Sequence, residues 1–175
     1  MKRTMMFSLA LLVGLAFTTA VSAGSFFKVG EPAPSFTLTS VTGESLSLSS
    51  LKGKVVVLGL FHICRPCLMQ GTNLQKVYEA TRDKNVAVVG VNSAGDSGGA
   101  VRDFLASFPV TVTYPYLVDP QRMTDRLYGG GRFIPNVYIL DQQGVIRWQR
   151  VGNMDLAGPG VILKEVDRLL ASEST

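Results

Sequence analysis

The sequence predicts a single α/β domain: a central mixed β-sheet flanked by helices, with an N-terminal β-hairpin extension. Three observations predict it. Two continuous apolar runs rich in β-branched residues, 55–61 and 86–91, bracket a segment of helical periodicity, as buried parallel strands joined by a helix would. Further on, two short apolar runs flank Asp141-Gln142-Gln143-Gly144, a turn signal that makes them an antiparallel hairpin and the sheet a mixed one. Finally, 175 residues with 46% hydrophobic and 17% charged content have room for one well-filled core and too little charge for a disordered chain.

The elements follow in order. Lys2 and Arg3 precede a charge-free apolar run over residues 5–17, too short for a comfortable membrane span. Val21-Ser22-Ala23 supplies the small residues of a signal-peptidase site, so residues 1–23 are expected to be a leader cleaved after Ala23, with an uncleaved N-terminal anchor as the alternative. No cysteine follows the run, which argues against lipid attachment. Residues 24–175 then form the expected domain. Export would place it in the periplasm, where disulfides form and persist. Setting aside Lys2 and Arg3 halves the net charge of +4, and the remaining basic residues are scattered. A nucleic-acid surface is therefore not expected.

Residues 36–39 and 46–48 flank Gly43-Glu44 and form the predicted N-terminal hairpin. The central strand over 55–61 comes next. Pro66 suits a helix start, and Leu68, Met69, Leu74, Val77 and Tyr78 share one helical face, with Asp83-Lys84-Asn85 expected to end it. The second buried strand covers 86–91. Residues 95–99 read as a flexible polar loop, and Val101, Phe104, Leu105 and Phe108 as a second helix. A strand around Tyr116-Leu117-Val118 ends at Asp119-Pro120. Met123, Leu127 and Tyr128 mark a short helix closed by Gly129-Gly130-Gly131, expected to be a mobile turn. The final hairpin pairs 137–140 with 145–148, making one sheet edge antiparallel. A closing helix carries Val161, Ile162, Val166, Leu169 and Leu170 inward and Lys164, Glu165, Asp167 and Arg168 toward water.

The chemistry concentrates in Cys64-Arg65-Pro66-Cys67. Two cysteines so close in the chain enclose a loop too small to constrain much of the unfolded state, so a structural staple is poorly placed here. The pair sits where a buried strand meets a helix, the context in which C-x-x-C reads as a redox motif. Partial positive charge and unpaired N–H groups at the helix start favour a thiolate at Cys64, making it the expected nucleophile and Cys67 the resolving thiol. Pro66 fixes φ and starts the helix without wasting a donor. Arg65 is a candidate for tuning the thiolate, against the plainer reading of a solvated helix-start arginine. His62, the only histidine, is a candidate base beside the pair, against a plain strand-end role. No metal or other cofactor is expected. Ile134-Pro135 precedes a strand whose ladder the proline cannot join, and on base rates alone the bond reads as trans.

Taken together, residues 30–38 (Gly-Glu-Pro-Ala-Pro-Ser-Phe-Thr-Leu), 51–57 (Leu-Lys-Gly-Lys-Val-Val-Val), the Cys64–Cys67 motif, Tyr128-Gly129, Ile134-Pro135 and Ile139-Leu140-Asp141 before Gly144 resemble the TlpA/ResA-like thiol–disulfide oxidoreductases of the thioredoxin superfamily. The resemblance spans nearly all of residues 30–172. It implies a thioredoxin-like fold and exchange of disulfides with protein thiols and disulfides of the periplasm, in the reducing direction, with a membrane or periplasmic electron donor. It also implies a cis Pro135 facing the cysteines, reversing the trans reading, and a docking role for the backbone of Ile134.

The chain departs from that family at three places. Leu60-Phe61-His62-Ile63 replaces an aromatic-rich segment, Leu58 stands where thioredoxin carries a buried aspartate, and Gln70 stands where ResA-like members carry a glutamate. Neither Leu58 nor Gln70 can relay a proton as a carboxylate. Two other chemistries stay open at this stage. A peroxiredoxin-like thiol peroxidase, with antioxidant activity, shares the opening Ala33-Pro34-Ser35-Phe36, although residues 55–63 lack the proline and threonine such enzymes place before the reactive cysteine. A copper-binding chaperone could use Cys64 and Cys67 as soft ligands assisted by His62 or Met69, although the spacing is shorter than usual and no distant histidine exists.

Overall fold

The computed structural model describes residues 29–129, 133–152 and 156–172. The expected leader and most of the glycine turn, Gly130 and Gly131, lie outside the described residues. Seven strands form one sheet: β1 (Thr37–Ser40), β2 (Ser45–Ser47), β3 (Val55–Phe61), β4 (Val86–Asn92), β5 (Tyr116–Val118), β6 (Asn136–Leu140) and β7 (Ile146–Val151). Their order across the sheet is β2-β1-β5-β4-β3-β6-β7. Among the described residues four α-helices accompany them: α1 (Arg65–Ala80), α2 (Gly98–Ala106), α3 (Met123–Leu127) and α4 (Pro159–Ala171). This is the expected mixed α/β architecture.

The whole of β3 is buried, because it lies between parallel β4 and antiparallel β6. Its side chains alternate between two cores, as the strand period of two requires. Val55, Val57 and Phe61 pack with Cys67, Leu74 and Val77 of α1 and with Ile162, Val166 and Leu169 of α4. Val56, Leu58 and Leu60 pack on the other face with Phe36, Leu48, Tyr128 and Tyr138. Truncating a fully buried leucine such as Leu58 to alanine would cost about 2–5 kcal/mol. The sheet is thus a rigid floor for whatever sits at the end of β3. Gly59 lets the helix approach it: a Cβ there would lie 2.5 Å from the Phe61 ring and 2.7 Å from Leu74.

Several elements differ from what their local sequence predicts. Both edges of the sheet are antiparallel rather than one, because the N-terminal hairpin joins through β1 to β5. Gly98 and Gly99 belong to α2 instead of a loop. The Ser97 side chain accepts from the Ala100 N–H at 3.2 Å and so caps the helix one turn early. That helix stops at Ala106, so Phe108 follows it. Helix α1 ends at Ala80 rather than at 83–85, with Thr81 as its cap. Leu48 opens a 3-10 turn, Leu48–Leu51, instead of closing β2. Met69 and Val161, placed on inward faces by their spacing, are half exposed. The closing hairpin forms as expected but runs on to Val151. The Asp141 carboxylate holds its turn by accepting from Gln143 N–H, Val145 N–H and Arg147 Nε.

Candidate active site

Cys64 is the N-cap of α1, with extended backbone (φ −152°, ψ 155°), and it is disulfide-bonded to Cys67 with Cα atoms 5.1 Å apart. The local sequence explains the placement. β3 ends at Phe61, His62 and Ile63 cross to the helix start, and Pro66 in the first turn needs no donor there. The Cys64 sulfur accepts from the Cys67 N–H at 3.2 Å, and the Cys67 sulfur accepts from the His62 N–H at 3.4 Å. No acidic side chain occupies the first turn of α1, so nothing there opposes the positive helix end.

The two sulfurs differ in access. Cys67 is fully buried in the core beside Phe61 and Val137, whereas Cys64 is half-buried. An incoming disulfide can meet only Cys64. A thiolate released there gains from the helix N-terminus, while Cys67, one turn deeper, can attack the Cys64 sulfur from inside.

The bond Ile134–Pro135 is cis, correcting the trans reading from base rates and agreeing with the family resemblance. Register places it at the cysteine end of the sheet. Asn136 pairs with Leu60 across the antiparallel β3–β6 ladder, so Pro135 lies one step further along, where β3 runs out toward Cys64. The Pro135 carbonyl accepts from Gly152 N–H at 3.0 Å. Ile134 is half-buried against both cores, and its backbone forms no hydrogen bond with another described residue. Phe133, Ile63 and Met69, close to these residues in the chain, are large apolar side chains that reach solvent.

Arg65 is exposed and joins no ion pair among the described residues. His62 is half-buried, and its Nε2 lies 3.9 Å from Oδ1 of Asp125 on α3. Burial pushes the imidazole pKa below its ordinary value of 6.5; Asp125 and then Asp96 pull the other way, and Arg122 adds to the lowering. The structure therefore unites Cys64, Cys67, Arg65, Pro66 and His62 at one end of the sheet, with Ile134-Pro135 just before the neighbouring strand β6.

Two residues acquire contacts that the sequence did not announce. Gln70 is buried and bonds the backbone of Ala157 twice, and Asp125 is a buried carboxylate shared by His62 and Arg122. Ala157 and His62 lie far along the chain from Gln70 and Asp125 respectively, beyond any periodicity signal. Among the described residues no group of three or more His, Cys, Asp or Glu side chains is arranged to hold a metal ion, and no helix is long and apolar enough to cross a membrane.

Residues 29–149 match the AhpC/TSA family. The chain belongs to the AhpC/TSA family. Among curated proteins it is similar to the thioredoxin-like protein YneN of Bacillus subtilis (strain 168), 37% identical over 106 residues, which are 59% of this chain and 59% of that protein. The match thus spans under two thirds of the relative's length. Among solved structures this AhpC/TSA chain is similar to a DsbF homologue from Corynebacterium diphtheriae: 27% identity, TM-score 0.68, covering 87% of this chain and 96% of that one. A Chlorobium tepidum protein provisionally assigned as thiol:disulfide interchange protein DsbE gives 27% identity and a TM-score of 0.66, over 83% and 96% of the two chains. The exposed lipoprotein thioredoxin Etrx1 of Streptococcus pneumoniae strain TIGR4, at 24% identity, TM-score 0.63, and 78% and 100% coverage, shares the fold. These neighbours agree with a thioredoxin-like, TlpA/ResA-like assignment within the thioredoxin superfamily.

Proposed function

We propose that this chain is an exported thiol–disulfide oxidoreductase that exchanges disulfides with periplasmic protein partners through Cys64 and Cys67, working as a reductant. One observation carries the reading: a half-buried cysteine caps a helix and is bonded to a fully buried one a turn later. The Cys64 thiolate attacks one sulfur of a partner disulfide, and the other partner sulfur leaves with the electron pair. Cys67 then attacks the Cys64 sulfur, forming Cys64–Cys67 and releasing the partner as a dithiol. Two electrons pass to the partner.

Ile134 supplies the docking backbone in this scheme, with Pro135 as the wall that offers the cysteines neither an N–H nor a metal-binding side chain. The exposed Ile63, Met69 and Phe133 give an extended partner segment apolar surface beside it. Arg65 and Pro66 tune the helix start. Periplasmic action rests on the leader over residues 1–23, and the reducing direction on the family resemblance. Re-reduction requires a membrane or periplasmic dithiol donor.

Reduction of insulin disulfides by the reduced protein tests the chemistry, and Cys64→Ser should abolish it. A reduction potential nearer the roughly −270 mV of thioredoxin than the roughly −120 mV of a strong periplasmic oxidant is expected for a reductant. A potential at the oxidising end would overturn the direction.

A further inference from the structure

Resolution of the mixed disulfide requires Cys67 to lose its proton, yet the two positions at which the family resemblance leads one to expect a carboxylate, Leu58 and Gln70, hold none. Leu58 is fully buried among apolar side chains, and both ends of the Gln70 amide are committed to Ala157. The ionisable groups gathered around His62 are Asp125 and Arg122 from α3 and its N-cap, Asp96 from the loop before α2, and the cysteines themselves from α1.

Four features converge on Asp125. Its side chain is only 5% exposed, in the first turn of α3. One oxygen accepts from Arg122 Nη2 at 2.9 Å; the other has no hydrogen-bond partner and faces His62 Nε2, itself buried without one, at 3.9 Å. Arg122, the N-cap of α3, has a left-handed backbone with φ 54°. Such a conformation is uncommon for a non-glycine residue, and here it places the side chain against Asp125. Gly95 leaves room for it, since a Cβ there would meet Arg122 Cγ at 2.9 Å. Strained backbone kept in order to aim one side chain is characteristic of functional sites.

We propose that the His62 imidazole is the proton acceptor for Cys67 and that Asp125, fixed by Arg122, is the positioning residue that orients the ring and stabilises its protonated form. The peptide N–H of His62 donates to the Cys67 sulfur at 3.4 Å, so the backbone that carries the ring is itself in contact with the thiol. In the step, the Cys67 proton moves to the imidazole and the thiolate attacks the Cys64 sulfur. The Cys64–partner bond breaks as Cys64–Cys67 forms, and the departing partner thiolate takes the proton back from the imidazolium. Burial keeps the ring neutral, and thus able to accept, near neutral pH.

This inference rests on the thiol exchange proposed above, and stopped-flow mixing of the reduced protein with an aromatic disulfide, 5,5′-dithiobis(2-nitrobenzoate), separates the two. The first release of coloured thiolate reports attack by Cys64, the second resolution by Cys67. His62→Gln should leave the first phase intact and slow the second by about tenfold or more at pH 7. The slowing should shrink toward alkaline pH, where Cys67 ionises without help. Asp125→Asn should slow the second phase in the same pH-dependent way; because Asp125 also anchors Arg122, the half-exposed His62 is the deciding position. A second phase unchanged in His62→Gln, or slowed equally at every pH, would overturn the proton-acceptor role while leaving exchange intact. Absence of the first phase in the unmutated protein would overturn the exchange chemistry and this step with it.

Discussion

The Gln70 side chain grips the backbone of Ala157 at both ends: Nε2 donates to the carbonyl at 2.9 Å, and Oε1 accepts from the N–H at 2.8 Å. Both residues are buried. Asn73 adds a third bond to the same carbonyl at 3.2 Å. The segment leading into α4 is thereby tied to α1 one turn after Cys67, and the amide at position 70 is a structural bridge.

Removing that bridge should cost stability. Gln70→Ala strands the Ala157 N–H in the core, and with net hydrogen bonds near 1 kcal/mol and a buried orphan at about 1–3, a loss of about 2–4 kcal/mol is expected from urea unfolding. Gln70→Glu should retain the N–H bond but set a carboxylate against the Ala157 carbonyl. Its stability should recover as pH falls through the carboxylate range, because protonation restores a donor.

Access to the two sulfurs sets their relative reactivity. In the reduced protein, iodoacetamide should label Cys64 at least about tenfold faster than Cys67, since the thiolate at the helix end is favoured and the inner sulfur is sealed in the core. Peptide mapping after timed quenching reads the ratio directly. Comparable rates at both sites would mean that the burial contrast does not govern attack.

His62 makes stability depend on pH with a definite sign. Burial lowers its folded pKa below 6.5, so the unfolded chain binds the proton more readily. The contribution is fully present above pH 6.5 and is lost as pH falls from there toward the folded value. Urea midpoints at pH 7.5 and pH 5.5 should therefore drop more for the unmutated protein than for His62→Gln.

Gly71 sits inside α1, where alanine would ordinarily gain about 1 kcal/mol. Here a Cβ would lie 2.6 Å from Phe108 Cε1 and 2.9 Å from its Cζ, and 3.2 Å from the Tyr114 hydroxyl that donates to the Gly71 carbonyl. Overpacking costs roughly 1–3 kcal/mol, so packing outweighs propensity. Gly71→Ala should lower stability, and thermal unfolding checks it.

What the sequence revealed and what it hid divide along physical lines. The buried strands, the Pro66 helix start and the Cys64–Cys67 pair were legible because each is local: a run of β-branched residues, a fixed φ, two thiols a turn apart. The exposure of Met69 was not, since helical spacing locates a face but not the neighbour that covers it. Ser97 could have signalled the early start of α2, yet two glycines after it read as a loop. The cis state of Pro135 came from family resemblance, because the residues alone favour trans. The pairings of Gln70 with Ala157 and of His62 with Asp125 depend on how distant segments meet at one end of the sheet, and no window of sequence contains both partners.

Trapping with Cys67→Ser tests the central claim most directly. Expressed in an exporting bacterium and isolated after acid quenching, this variant should carry partner proteins as mixed disulfides on Cys64 that a reductant releases, and the additional change Cys64→Ser should remove them all. A folded, exported Cys67→Ser protein that holds no protein on Cys64 would contradict the account.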